Sequence, residues 1–112
     1  MSLRHARAGE PVEVLAPGPE PALSPSVALF KSRDLEVIRL VLPQGRTMPA
    51  HQVAGDLTLH CLDGELEVST GDRPTVLRRG QLMYLPGGQV HRVLALQPSC
   101  ALLTIALLAP AA

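Results

Sequence analysis

The sequence predicts an all-β domain, either a sandwich or a barrel. Short apolar runs alternate with turn signals at nearly regular spacing, a pattern typical of these two architectures. The chain of 112 residues also contains nine glycines and eleven prolines, which favours many turns over long helices. No segment has the periodicity of a long amphipathic helix. The length is that of one domain.

Eight apolar runs are the predicted strands. They are residues 27–30, 34–42, 57–62, 65–69, 75–78, 81–85, 91–96 and 101–108. Asp63 and Gly64 separate the third run from the fourth, and Asp-Gly between two such runs is a strong hairpin signal. We therefore expect a tight β-hairpin at this position.

The chain divides into a proline-rich N-terminal arm, residues 1–26, and a barrel domain, residues 27–112. Five of the eleven prolines lie in the arm, and their spacing excludes a helix there. We expect an extended arm with an edge strand around residues 12–15, lying against the body of the protein or against a partner chain. The alternative is a loose terminal tail.

Charge and composition exclude several classes of protein. Ten basic residues balance ten acidic ones, so neither nucleic acid nor an anionic membrane is an expected partner. The longest apolar stretch near the end, residues 101–109, is too short to span a bilayer. Two cysteines are too few for a disulfide framework, and residues 1–9 lack the apolar run of a signal peptide. We expect a cytoplasmic protein with free thiols.

Glycine, proline and histidine recur at informative spacings. Gly45 precedes His51 by six residues, and Gly64 follows on a later turn. Further along, the sequence has Gly80, Pro86, Gly88 and His91 within twelve residues. These positions resemble the two motifs of the cupin family. The resemblance implies a small single-domain cupin, a double-stranded β-helix of jelly-roll type.

The resemblance also shows which expected metal ligands have changed. Metal-binding cupins supply a His, a second His two residues later, a Glu, and a last His from the second motif. Here His51 and His91 are present, but Val53 and Leu57 occupy the other two positions. Two histidines alone make an under-coordinated site for a divalent transition metal such as Fe, Zn, Ni or Mn. Either a weakly held metal binds there, or the histidines line a metal-free cavity.

Two other residues near this motif carry possible donor atoms, and neither is expected to replace the lost ligands. Asp56 adjoins Leu57 but has the opposite strand parity, unless the preceding loop shifts the register. His60 lies three residues after Leu57, so strand alternation directs it to the other face of the sheet.

A ligand pocket is predicted around the two histidines. Its lining consists of His51, Val53, Leu57, Cys61, Met83, Gln89 and His91. Gln89 could lend a neutral oxygen to this pocket. Cys61 is expected to face the interior as an inert packing residue, because a nucleophilic thiol needs an activating base. Arg39 lies in an apolar strand, and we expect its guanidinium to reach solvent.

Three functions are compatible with this pocket, and the sequence leaves open whether the protein is an enzyme. The first is the binding of a small, partly apolar molecule without redox chemistry. The second is a metal-dependent enzyme of the dioxygenase, isomerase or decarboxylase kind, using His51 and His91. The third is a metal-free enzyme in which one of these histidines is a general base.

Self-association is also expected. The runs 35–42 and 101–108 are apolar on both faces, although a barrel of this size has a single interior. The outward faces need cover, which the arm and a second copy of the chain can supply. We expect an isologous twofold homodimer, which is also the arrangement that the resemblance implies.

Overall fold

Within the described residues, 6–15 and 26–107, the computed structural model contains nine strands and no helix. The strands are β1 (Val27–Lys31), β2 (Leu35–Leu42), β3 (Thr47–His51), β4 (Leu57–Asp63), β5 (Glu65–Thr70), β6 (Arg73–Arg78), β7 (Leu82–Leu85), β8 (His91–Ala95) and β9 (Ser99–Ala106). The all-β prediction is confirmed. In this part of the chain no helix is long and apolar enough to cross a membrane.

The nine strands form two antiparallel sheets. The first has five strands in the order β1-β2-β9-β4-β7, and the second has four in the order β3-β8-β5-β6. Strands that follow each other along the chain therefore often lie in different sheets, as in a jelly roll. The β3 strand is the one that the sequence does not predict. It contains Pro49, which is tolerated because β3 is an edge strand of its sheet.

The hydrophobic core lies between the two sheets and draws on both. Alternation along β4 shows how it is built, because Leu57, Leu59 and Cys61 are buried while Thr58 and His60 are partly exposed. The fully buried side chains of largest volume are Leu59, Leu66, Val68, Val93 and Cys61. Burial of such side chains contributes about 1.5–3 kcal/mol each, so the filled interior is the main source of stability.

The predicted hairpin at Asp63 and Gly64 is wrong. The β4 strand pairs with β7 and β9, whereas β5 pairs with β6 and β8, so the chain changes sheets at this turn. Gly64 has a φ of 87°, but no residue other than glycine has positive φ among those described. A Cβ at Gly64 would overlap Pro98 and Ser99. Glycine is needed here because this corner packs against the start of β9 and the connection that leads into it. A hairpin signal of the same composition cannot be distinguished from such a corner.

The arm contacts the body, but residues 12–15 form no strand. The Ala6 N–H donates to the Leu29 carbonyl at 2.7 Å, which adds one bond to the free edge of β1. The Leu15 carbonyl accepts from Nη1 of Arg39 at 3.3 Å. The expected edge strand is therefore wrong, since the arm uses isolated bonds instead of a ladder. Residues 1–5 and 16–25 of the predicted arm lie outside the described residues.

Arg39 is buried, contrary to the expectation that its head reaches solvent. Its exposed fraction is 6%, and it shares the outward face of β2 with Val37 and Val41. Strand alternation correctly predicted that Arg39 lies on the outward face of β2, but the arm covers this face. The buried Nε of Arg39 has no hydrogen-bond partner within the described part of the chain.

Candidate functional site

The two motif histidines meet across a strand pair. His51 ends β3 and His91 begins β8, and the two residues are directly opposed in the antiparallel register. The register shifts between Met48 and His51, and this irregularity brings the last residue of β3 opposite the first of β8. Forty residues apart in sequence, the two backbones therefore lie side by side.

His91 is nearly inaccessible, with an exposed fraction of 2%. Its Nδ1 lies 3.1 Å from the backbone oxygen of Gln89. Because a carbonyl oxygen only accepts, Nδ1 must carry the proton in this contact. Gln89 thus contributes its backbone to the site by orienting the imidazole.

Two hydrogen bonds fasten the turn before β8 to the loop between β3 and β4. The Gly87 N–H donates to Oδ1 of Asp56 at 2.9 Å. The Gly88 N–H donates to the Val53 carbonyl at 2.8 Å. A Cβ at Gly87 would overlap the backbone oxygen of Ala54, so glycine permits the close approach. The carboxylate of Asp56 is therefore engaged with the turn.

A hollow of about 590 Å³ opens beside this turn. Of the predicted pocket residues with described side chains, Gln89 and His91 line it. Among the residues that the structure describes, the lining is Ala50, Ser69, Gly71, Pro86, Gly87, Gly88, Gln89, Val90, His91 and Arg92. We call this space the turn hollow. It lies at the rim of the four-stranded sheet.

Sequence reasoning did not single out Ser69 and Arg92. These residues are directly opposed on β5 and β8, and both line the turn hollow. Arg92 follows His91, so strand alternation places it on the opposite, outward face. The position of Arg92 directly after the motif histidine is the signal that could have identified it from the sequence. Only the strand pairing reveals that Ser69 lies across from Arg92.

The other predicted pocket residues occupy different places. Leu57 and Cys61 belong to the packed core, and Met83 packs against it from a partly buried position. Val53 lines a separate hollow of about 270 Å³, together with Glu36 and residues of β9. The six predicted lining residues whose side chains the structure describes are therefore distributed between two hollows and the core interior, and the side chain of His51 lies outside the described part.

Cys61 has the environment of a structural thiol. It is fully buried, and its Sγ lies 3.5 Å from the Asp63 carbonyl and 3.6 Å from the Gly64 carbonyl, to which the S–H can donate. Burial raises the pKa of the Cys61 thiol, and the backbone hydrogen bond to Asp63 only partly opposes this. A raised pKa keeps the group protonated, which is the opposite of the activation that a nucleophile needs.

The described donors do not fit a catalytic metal. Such zinc sites use three protein ligands, and non-haem iron sites use two histidines and a carboxylate. The backbones of His51 and His91 are opposed in the strand pair, but the other two motif positions are Val53 and Leu57, whose side chains offer no donor atom. Among the described residues no group of three or more His, Cys, Asp and Glu side chains is arranged to hold a metal ion.

This fold, with two opposed motif histidines, agrees with the match to a known family. The model of the cupin domain matches residues 38–105, more than half of the chain. The chain belongs to the cupin family. No curated protein is similar to it in sequence. The cupin motifs account for the paired histidines and for the Pro-Gly turn that positions one of them.

Solved cupin structures share the fold at low sequence identity. A protein of unknown function from Streptococcus pyogenes has a TM-score of 0.73 and 21% identity, with 99% of both chains covered. A cupin superfamily protein from Desulfitobacterium hafniense has a TM-score of 0.73 and 17% identity, covering 96% of this chain and 99% of that one. An RmlC-like cupin with a double-stranded β-helix fold from Methanocaldococcus jannaschii has a TM-score of 0.68 and 20% identity, covering 72% and 77%. These likenesses establish the fold of the present cupin.

Proposed function

We propose that this cupin binds a small, partly apolar molecule in the turn hollow, beside His91. The observation that supports the proposal is the hollow itself, whose volume of about 590 Å³ falls in the range of about 300–1,000 Å³ typical of small-molecule sites. Its lining mixes apolar side chains with a few polar groups, which is the usual composition of such sites.

The rigidity of the turn supports the same proposal. Asp56 and Val53 hold Gly87 and Gly88 through hydrogen bonds of 2.9 Å and 2.8 Å. A site whose walls are fixed before binding loses less conformational entropy when the ligand arrives. The cavity is therefore suited to recognition.

Amide NMR spectra recorded with a fragment library would test this proposal. We expect some fragments to shift the signals of Gly87, Gly88 and Val90, and Ala50→Trp to block them by filling the turn hollow. Gln52→Trp is the matched control, because Gln52 is an exposed neighbour that does not line the hollow. Fragments that bind only elsewhere, or none that bind, would overturn the proposal.

A metal-dependent enzyme is the second candidate, and the opposed positions of His51 and His91 favour it. A metal held there needs further ligands in place of Val53 and Leu57. Metal analysis after incubation with Fe, Zn, Ni or Mn salts would decide. One equivalent of bound metal in the wild type that is lost in His51→Ala and in His91→Ala supports this candidate. Substoichiometric metal in the wild type excludes it.

We also propose that the protein is a homodimer. The outward residues 58, 60, 82, 84, 102 and 104 of β4, β7 and β9 form what we call the outer patch. Leu82 and Tyr84 within it are 63% and 61% exposed, and the patch contains no Asp, Glu, Lys or Arg. Because an isologous contact brings a surface against its own copy, an uncharged patch meets itself without like-charge repulsion.

A cytoplasmic location is the last part of the proposal. Cys61 and Cys100 are both buried and both free. Free thiols fit a reducing compartment, where disulfides are rare.

A further inference from the structure

We propose that the ligand of the turn hollow carries a carboxylate, which Arg92 binds. This inference rests on the proposed function, because it names the chemical class of the molecule bound there. It is carried by the charge of the hollow and by the groups beside the arginine.

Arg92 is the one charged side chain in the described lining of the turn hollow. It is exposed, and it forms no ion pair with a carboxylate of the described residues, whose two ion pairs are Arg33–Asp34 and Arg78–Glu65. Glu67 shares the outward face of the same sheet but lies opposite Leu94, two residues further along β8. The hollow therefore presents an uncompensated positive charge to a bound molecule.

Neighbouring groups suit a carboxylate attached to an apolar body. A guanidinium offers two parallel N–H donors that match the two carboxylate oxygens. The Ser69 hydroxyl, directly across the strand pair from Arg92, supplies a third donor. Ala50, Pro86 and Val90 line the same hollow and can contact hydrocarbon.

The count of charges favours a monoanion over a phosphate ester. One arginine balances one negative charge, and Lys31, the only lysine of the chain, lies on β1 in the other sheet. A doubly charged group would keep one charge without a partner in the hollow. Small monocarboxylates are therefore the class we assign.

The experiment compares an acid with its neutral isostere. The probes are 4-methylpentanoate and 4-methylpentanamide, titrated while the amide signals of Gly87, Gly88 and Val90 are followed by NMR. Because exposed ion pairs are weak and bidentate arginine contacts are stronger, we expect the acid to bind at least about fivefold tighter. The preference should shrink as salt is raised, since salt screens the interaction.

Two variants assign the preference to Arg92. Arg92→Gln should remove it, leaving acid and amide with equal dissociation constants. Arg79→Gln is the matched control, because Arg79 is exposed and does not line the turn hollow, and it should leave the preference unchanged.

The outcomes separate this inference from the function on which it rests. Equal binding of acid and amide, or a preference for the acid that survives Arg92→Gln, overturns the binding of a carboxylate by Arg92, while binding in the hollow itself still stands. If neither probe, nor any member of the fragment library, shifts the turn signals, then both the assignment and the proposed function fail.

Discussion

The carboxylate of Asp56 accepts a hydrogen bond from the Gly87 N–H at 2.9 Å, although the two residues are 31 positions apart. This bond joins the end of the β3–β4 loop to the Pro-Gly turn that leads into β8. His91 begins β8 only four residues after Gly87, so the position of the imidazole depends on where this turn is held.

We expect Asp56→Ala to loosen the turn and to lower the free energy of unfolding by about 1–2 kcal/mol, toward the low end for a hydrogen bond to a charged group because this bond is exposed. Hydrogen exchange at the Gly87 amide should accelerate more than the global change explains. Asp56→Asn keeps an acceptor oxygen and should lose less. Asp72→Ala, at an exposed turn, is the control. Unchanged exchange at Gly87 in Asp56→Ala would show that the bond does not hold the turn.

Gly64→Ala should be among the most destabilising glycine substitutions. A non-glycine residue at φ 87° costs about 1–2 kcal/mol, and the overlap of the new Cβ with Pro98 and Ser99 adds about 1–3 kcal/mol. Gly71→Ala is matched to it, because Gly71 also has positive φ but open space around it. Urea unfolding measures both. Equal losses in the two variants would mean that the corner yields to the added methyl group.

Arg39→Met should be tolerated or stabilising, within about 1 kcal/mol of the wild type. A buried charge without full compensation is costly, and an apolar side chain of similar length keeps the packing. Arg39→Ala removes the packing as well and should lower the free energy of unfolding by about 2 kcal/mol or more. A loss in Arg39→Met as large as that in Arg39→Ala would show that the guanidinium itself stabilises the fold.

The stability of the protein should fall in alkaline solution because of Cys61. Burial raises the pKa of this thiol in the folded state, whereas the unfolded thiol ionises near about pH 8.5. The contribution of the protonated Cys61 thiol to the free energy of unfolding is therefore complete below that pH, and it is lost as the pH rises toward the folded pKa. Compared with Cys61→Ala, the wild type should lose up to about 1.4 kcal/mol more per pH unit in this window. Urea unfolding at pH 7 and pH 10 measures it, and parallel losses in the two proteins would contradict it.

Leu82→Glu should convert the proposed dimer to a monomer. It places a charge on the β7 side of the outer patch, and an isologous contact through this patch would bury that charge against the copy. Light scattering should give a wild-type mass near twice 11.9 kDa and a variant mass near that of one chain. Val90→Glu, an exposed apolar residue outside the patch, is the control. A wild type that is monomeric at all concentrations removes the dimer.

Local signals in the sequence were sufficient for most of the strands and for the family. Eight of the nine strands follow from apolar runs bounded by glycine and proline, since these residues act on their immediate neighbours. The spacing of Gly80, Pro86, Gly88 and His91 indicated the Pro-Gly turn and the histidine that follows it. The same local reasoning failed at Asp63–Gly64, because a corner between sheets and a hairpin require the same kind of residue.

The sequence by itself determined which residues alternate inward, that an all-β cupin forms, and that only two of the four expected metal ligands remain. Only the tertiary structure decided that Arg39 is buried under the arm, that Asp56 engages Gly87, and that Ser69 lies opposite Arg92 beside the turn hollow. The physical reason is the range of the interactions. Strand alternation is set by neighbours along the chain, whereas strand partners, burial and cavities depend on segments tens of residues away.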